Sequence, residues 1–440
     1  MYFEKLKLIT NQKLSSYSIN ELIVAAMIFG IPLTIKLGNI VLIFAFLFAL
    51  YHLVVNFKFI QFSITNFYLI FPCIFFAIVL GSALLSHDLY SGFVQLEKNL
   101  LVLLIPLTLH ILCYKRKIDY NFLFKIYALS NFVVTFLLLV IGILRILKGA
   151  STEVFFFHEF TAFLDLHPVY VAINISLTLF YISQYYLVHT IITKKKLLVT
   201  LALLIYFYFV LYLCASKGVI LFFTFLYVIQ LWLIFKKTSF KLIALSIALM
   251  FTIGLLCIPK VSTRFMEGLH FNIANFQPTD KIEKAKVFSN IEKDEISDLE
   301  LRYLMLKIGC YHIYKENKFI WGYGIGDVQN YTDYHYMIYG LAPGWFEGYN
   351  LHNQYLQYLV SYGLFGMVFF LVYLTYSFII ALRTKSRIYL LFIVLIMCIF
   401  LFESLLARNK GIVIFYFFNT LFLIKVINEN RYFRNQRNSQ

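Results

Sequence analysis

Apolar residues along this chain come in long unbroken runs, each closed by a short polar or basic connection. A run of roughly 17–25 apolar residues is what a helix needs to cross the hydrocarbon core of a bilayer. By that measure the pattern predicts about twelve transmembrane helices. They fall near Glu21–Ile35, Asn39–Val55, Phe67–Leu85, Asn99–Cys113, Asn121–Leu144, Val169–His189, Leu197–Ala215, Val219–Phe235, Leu242–Ile258, Gln354–Leu382, Ile388–Leu406 and Ile412–Ile427. The basic clusters occupy alternate connections: Lys5, Lys7 and Lys13; Lys115, Arg116 and Lys117; Lys194, Lys195 and Lys196; Lys236, Lys237 and Lys241; Arg383, Lys385 and Arg387; and Arg431, Arg434 and Arg437. An even number of spans puts every cluster on one side, and the excess of Lys and Arg makes that side the cytoplasm. Both termini are then inside and Lys260–Leu351 is outside.

That external segment divides the chain into residues 1–259 (a bundle of about nine helices), 260–351 (one large loop) and 352–440 (about three helices and a basic tail). The first half of the loop is rich in Lys, Glu, Asp and Asn and reads as irregular. Ser297 or Asp298 then offers an N-cap, and Leu301, Leu304, Ile308 and Tyr311 recur at helical spacing. This predicts an amphipathic helix over Leu299–Glu316 lying on the bundle. Trp321-Gly322-Tyr323-Gly324-Ile325-Gly326-Asp327 reads as a turn-rich stop. The chain shows no internal repeat, which counts against an inverted-repeat transporter.

Composition turns the periodicity into a class. With 440 residues, 61% hydrophobic and 14% charged, and a mean hydropathy of +0.79, the chain is far from the balance of a soluble domain. It reads as an all-α, polytopic integral membrane protein. The net charge of +16 would suggest nucleic acid in a soluble protein; here it sits between apolar runs and reads as orientation, with no nucleic-acid partner. Six scattered cysteines predict neither a disulfide framework nor a metal cluster. Met1 to Asn20 lacks a small-residue cleavage site, so the first run is expected to be a retained helix.

Candidate chemistry lies where charges or histidines interrupt the apolar runs, because such groups are costly in a membrane. His352 and Asn353 open the helix that follows the loop, where unpaired N–H groups favour an anion and a neutral, basic imidazole. Gly363 and Gly366 offer a notch for a neighbouring helix. Ser216-Lys217-Gly218 reads either as a tight turn with a snorkelling Lys or as a cation facing an anionic headgroup. Arg302 heads the amphipathic helix, as a solvated residue or as a second cation. Arg264 follows the ninth run directly and reads as an interface anchor. His167, ahead of Pro168, caps its helix or binds an anion. Glu403 falls within the eleventh run, and an ion pair with Arg408 is expected there. The GxGxG at Gly322–Gly326 lacks the strand and helix of a dinucleotide site, and His87, His158, His270, His312 and His335 lack partner spacing for a metal. One basic residue per external turn plus a histidine at a helix start suggests a diphosphate clamp with a base.

Several of these blocks resemble those of the O-antigen ligase and O-antigen polymerase family of bacterial envelopes. The resemblance rests on His352-Asn353-xx-Leu356-xx-Leu359-xxx-Gly363-xx-Gly366 and on Arg302 with its aromatic helix and Gly322–Asp327. Ser216-Lys217-Gly218 adds to it where the family commonly has Ser-Arg-Gly, as do His167-Pro168-Val169-Tyr170, Glu403…Gly411-Ile412-Val413-Ile414-Phe415 and Gln95-Leu96-Glu97-Lys98. Lys217 departs from the family's Arg, and a point charge lacks the planar fork that grips phosphate at two points. The resemblance implies a GT-C-like glycosyltransferase of the bacterial inner membrane with one large periplasmic loop. It would move a polysaccharide from an undecaprenyl diphosphate carrier to a lipid A-core sugar hydroxyl at the periplasmic face, with inversion and without cofactor or metal. In that reading His352 is the base, Lys217 and Arg302 meet the diphosphate, and Arg264, His167, Asn353, Arg408 and Glu403 bind substrate. The partners are the lipid-linked glycan donor, a lipid A-core or glycan acceptor, and membrane lipids. Polymerisation of lipid-linked repeat units, ligation of glycan to protein, and non-enzymatic transport of lipid-linked glycans are the alternatives, in that order.

Overall fold

The computed structural model describes residues 17–56, 66–188, 193–235, 262–263, 266, 268, 270–384 and 386–438, without the side chains of 188 and 431–438. The predicted span Leu242–Ile258, Arg264, and the lysines before residue 17 and between 236 and 241 lie outside the described residues. Within them the chain is helical, with no strand. Its helices are α1 (Ile19–Gly30), α2 (Ile35–Val55), α3 (Phe67–Leu84), α4 (Leu89–Cys113), α5 (Tyr120–Leu147), α6 (Phe157–Thr161), α7 (Pro168–Val188), α8 (Lys194–Leu213), α9 (Lys217–Ile234), α10 (Asn290–Glu295), α11 (Asp298–Lys315), α12 (Val328–Ile338), α13 (Gln354–Arg383), α14 (Arg387–Ile399) and α15 (Asn409–Asn438).

Among the described residues, eight helices are long and apolar enough to cross a membrane: α2, α3, α4, α5, α8, α9, α13 and most of α15. A ninth appears if α6 and α7, bent by 88° at their junction, form one broken span; α1 and α14 are apolar but only 12 and 13 residues long. The expected count of twelve is therefore not reached within these residues. Two boundaries differ from the hydropathy reading for clear reasons. α4 begins ten residues before the predicted Asn99, because Asp88 accepts the Ser91 N–H as an N-cap and Gln95, Glu97 and Lys98 simply continue the helix. α14 ends at Ile399 although apolar residues run on to Leu406, because Phe400 C=O is diverted to the Gln354 N–H at 2.8 Å. Glu403 thus lies in a turn and not inside a span.

α15 runs through the centre of the bundle: from Ile412 to Ile424 its side chains are almost completely buried on every face. Polar groups tie it to its neighbours, with the Tyr389 hydroxyl donating to Asn419 and the Asn419 amide to Ser377. Lys410 is buried and donates to the carbonyls of Ile31 and Leu33, anchoring the α1–α2 turn to the start of α15. At the opposite end Asn428 holds the α4–α5 turn through the Cys113 and Arg116 carbonyls. Arg387 lies at the same end, sharing a cavity with Tyr120 and Lys425.

The loop folds over the first end around its own core. Ser297 caps α11 in a reciprocal capping box with Glu300, and Leu304, Met305 and Ile308 bury against Leu351, Leu356 and Val360 at the start of α13. The helix predicted over Leu299–Glu316 is therefore present one residue earlier. The Gly322–Asp327 stretch is a staple. Asp327 accepts the His87 and Asp88 N–H groups at 2.8 Å each, Gly326 N–H goes to Ser86, and Tyr323 N–H goes to Val360 C=O. At Gly363 α13 leaves helical geometry (φ 70°, ψ −172°), and a Cβ there would lie 2.0 Å from Ile320 O. The notch expected to receive a helix receives loop backbone, which can come that close only because glycine has no side chain.

Candidate active site

The cavity at the loop end of the bundle encloses about 590 Å³. Its walls come from the α6–α7 break, the first turns of α9, the start of α11, the segment before α13 and the turn after α14. His167, Lys217, Arg302, His352, Glu403 and Arg408, which are scattered over some 240 residues of sequence, all line it.

Glu403 organises the wall. Its Oε1 accepts from Arg302 Nη2 at 3.0 Å, and its Oε2 lies 3.3 Å from His352 Nδ1. Burial works to raise this carboxyl, but the His352 hydrogen bond and the charge of Arg302, joined by His352 and His167 when they are protonated, outweigh it and hold it below the usual glutamate value. An ionised carboxylate can only accept, so a neutral His352 carries its proton on Nδ1 and keeps the Nε2 lone pair. The expected Glu403–Arg408 pair is replaced by these two contacts, because Arg302 reaches across from α11 and the break in α14 turns Glu403 toward it. Arg302 also donates from Nε to Phe402 O at 3.0 Å and from Nη1 to Asp298 O at 2.7 Å.

Several backbone contacts fix His352 against Glu403. Gln354 Oε1 accepts the Leu406 N–H at 2.7 Å, and Asn353 N–H donates to Ser404 Oγ at 3.1 Å. His352 itself has a left-handed backbone (φ 44°), with its N–H held by Asn350 Oδ1; such strain in a non-glycine residue is typical of functional positions. Asn353, expected to bind substrate, does not line the cavity. Its Oδ1 caps α13 through Leu356 N–H and its Nδ2 donates to Leu401 O.

Lys217 opens α9 and pairs with Asp298 at 2.5 Å. His167, in the break ahead of α7, accepts the Val169 N–H on Nδ1 at 3.3 Å. Burial pushes its pKa down to about 4, against the pull of Glu403 and helped by His158, Arg408 and His352. It is therefore neutral near pH 7 and donates from Nε2. Arg408 is exposed to the cavity and makes no ion pair among the described residues. Three cations thus face two carboxylates across this wall.

His158 and Asp298 also line the cavity and were not marked by sequence as site residues. The run Phe155-Phe156-Phe157-His158 ahead of His167-Pro168 was the available signal for His158, and Asp298 was visible only as a possible cap. His312 and His335, which lack partner spacing in sequence, are brought together with Glu316 inside the loop.

A family model described as O-antigen ligase matches residues 201–371. No curated protein matches the chain. The match runs from inside α8 into α13 and takes in Lys217, Arg302 and His352, while His167, Glu403 and Arg408 lie beyond it. Over residues 201–371 this chain matches the O-antigen ligase family, and with its apolar helices that match supports a multi-pass membrane protein of ligase or polymerase type.

Proposed function

We propose that this protein transfers a polysaccharide from undecaprenyl diphosphate to a sugar hydroxyl of lipid A-core, by a single inverting displacement on the periplasmic side of the inner membrane. The observation that carries this reading is one carboxylate, Glu403, shared between His352 Nδ1 and Arg302 on the cavity wall. His352 Nε2 takes the proton of the acceptor hydroxyl as its oxygen attacks the anomeric carbon. The bond from that carbon to the diphosphate breaks, and the charge left on the diphosphate is met by Arg302, Arg408 and Lys217. His167 Nε2–H adds a neutral donor, and Arg264, outside the described residues, is the remaining cation in this assignment. Leu221 and Phe222 on α9 and Phe402 give the cavity an apolar wall suited to the first isoprene units of the carrier. Both oxygens of Glu403 are engaged, and Asp298 holds Lys217, so neither carboxylate is free to act as a nucleophile; that supports inversion.

Polymerisation of lipid-linked repeat units uses the same chemistry with a different acceptor. Deleting the gene and separating lipopolysaccharide on a gel tests the choice. Core without a ladder is the ligase outcome; core bearing one unit is the polymerase outcome. An unchanged ladder overturns both. In purified enzyme, His352→Ala should keep the donor bound while transfer stops.

A further inference from the structure

The loop carries a second cluster of ionisable side chains, ten residues and about 15 Å of helix beyond Arg302 on α11. His312 lies in the last turn of α11, Glu316 follows directly as its C-cap, and His335 comes from α12. His335 Nε2 lies 2.7 Å from Glu316 Oε1, and His312 Nδ1 lies 3.7 Å from the same oxygen. These separations straddle the roughly 3.3 Å between ligand atoms set about 2.0–2.1 Å from a tetrahedral ion. The two imidazoles stack with centroids 3.9 Å apart and planes 11° from parallel, so one ring must turn for both lone pairs to converge on one ion, and both side chains are nearly sealed from solvent.

The groups behind the cluster orient it. The Tyr339 hydroxyl lies 3.0 Å from His312 Nε2, accepts the Thr279 N–H and reaches Thr279 O with its own proton. It can therefore take an N–H from Nε2, which leaves the Nδ1 lone pair facing Glu316. The Tyr323 hydroxyl donates to Glu316 Oε2 at 3.0 Å, so Oε1 remains the shared oxygen.

We propose that His312, Glu316 and His335 form a binding site for a divalent transition-metal ion of the zinc class, which fastens α11 to α12. Two imidazoles and one carboxylate favour zinc over magnesium or calcium, which seek all-oxygen sites. His335 takes the ion on Nε2 by moving its proton to Nδ1, so the site loses no net proton there. None of the three ligands lines the cavity, so the ion acts on the loop and not on glycosyl transfer. α11 carries Arg302 at its other end, and α12 starts at the Asp327 staple. A clip between them stiffens the frame that holds Arg302.

The test uses full-length protein, stripped with chelator in detergent and then given Zn2+ or Co2+. One zinc per chain should remain after gel filtration, and Co2+ should produce visible ligand-field bands. His335→Gln and Glu316→Gln should lose both signals. Tyr339→Phe keeps every ligand and should weaken zinc by about 10–100-fold, as loss of an orienting hydrogen bond behind a ligand typically does. Zinc should raise the unfolding temperature of the unsubstituted protein but not of His335→Gln. No retained zinc and no cobalt bands in the unsubstituted protein overturn the proposal. So does equal zinc uptake by the unsubstituted, His335→Gln and Glu316→Gln proteins, or equal affinity for Mg2+. These readouts stand apart from glycosyl transfer, so they hold whichever acceptor the enzyme uses.

Discussion

Glu403→Gln is the sharpest test of the proposed site. The side chain keeps its size, but one end becomes an amide that can present N–H to His352 Nδ1 across the present 3.3 Å contact. Nδ1 would then accept, the imidazole proton would move to Nε2, and the nitrogen facing the acceptor would no longer be a base. A general base supplies about 10²–10⁴-fold, or roughly 3–5 kcal/mol at about 1.36 kcal/mol per decade. In serine-protease triads the equivalent charge-removing change costs about 10⁴-fold with geometry intact. Transfer by Glu403→Gln should therefore fall by about 10²–10⁴-fold. Donor affinity should hold or rise, because Arg302 loses a carboxylate 3.0 Å away and shows more of its charge to the diphosphate. Single-turnover transfer and donor binding in nanodiscs separate the two effects. Adding Glu403→Gln to His352→Ala should slow the enzyme no further, since both act through one nitrogen. Independent, multiplying losses in the double variant would refute the dyad, as would near-normal transfer by Glu403→Gln at full donor occupancy.

Arg408→Ala should weaken donor binding by roughly 1.5–3 kcal/mol, the worth of a charge-assisted contact, read as donor Kd; Lys217→Arg should bind and transfer normally, and Lys217→Ala should do neither, because it also leaves Asp298 facing the diphosphate. Gly363→Ala should lower the unfolding temperature, with backbone strain alone costing about 1–3 kcal/mol before the clash with Ile320 O; an unchanged melt would refute that close approach. Because Glu403 is held below the ordinary value of 4.5, its ion contacts stabilise the fold fully above that pH and are lost as pH falls through the lower folded value. The gap in unfolding temperature between the unsubstituted protein and Glu403→Gln should therefore close in acid, and a gap independent of pH would contradict it. In a Cys310→Ala background, an impermeant thiol reagent on intact cells should label Asp294→Cys and not Lys195→Cys; the reverse pattern would invert the proposed orientation.

Local signals were legible in the sequence. Within the described residues the apolar runs became helices, Ser297 capped α11, and His352 stood at the entrance of α13. Lys217, Arg302 and Arg408, which the polar interruptions marked, do converge on one cavity at the same end of the bundle. What the sequence hid are the partners. Glu403 lies in a run with apolar residues on both sides, and hydropathy sees no break where the helix ends only because Gln354 captures Phe400 C=O. Asp298 reaches Lys217 across 81 positions, and His312 meets His335 only after the Gly322–Asp327 staple has turned the chain back. Gly363 looked like a place for a helix because a small residue shows that something comes close and not what comes.

The resting site is unusual for an anion clamp in that most of its charge is already matched. Lys217 is held by Asp298 and Arg302 by Glu403, and only Arg408 is unpaired among the described residues. On the proposed reading this is what a transfer enzyme needs. Cations left bare would grip the donor and the released undecaprenyl diphosphate alike, and tight ground-state binding does not speed the chemical step. Cations fixed by carboxylates are already oriented when the glycosidic bond breaks, so the growing charge on the leaving diphosphate meets dipoles that need not reorganise. Arg408 can meet the donor first, and Lys217 can turn from Asp298 as that charge develops. The carboxylate that sets the His352 tautomer lies outside residues 201–371, as do His158, His167 and Arg408. On the proposed reading the matched segment thus carries the base and two cations, while the turn after α14 supplies the carboxylate that fixes the base's tautomer.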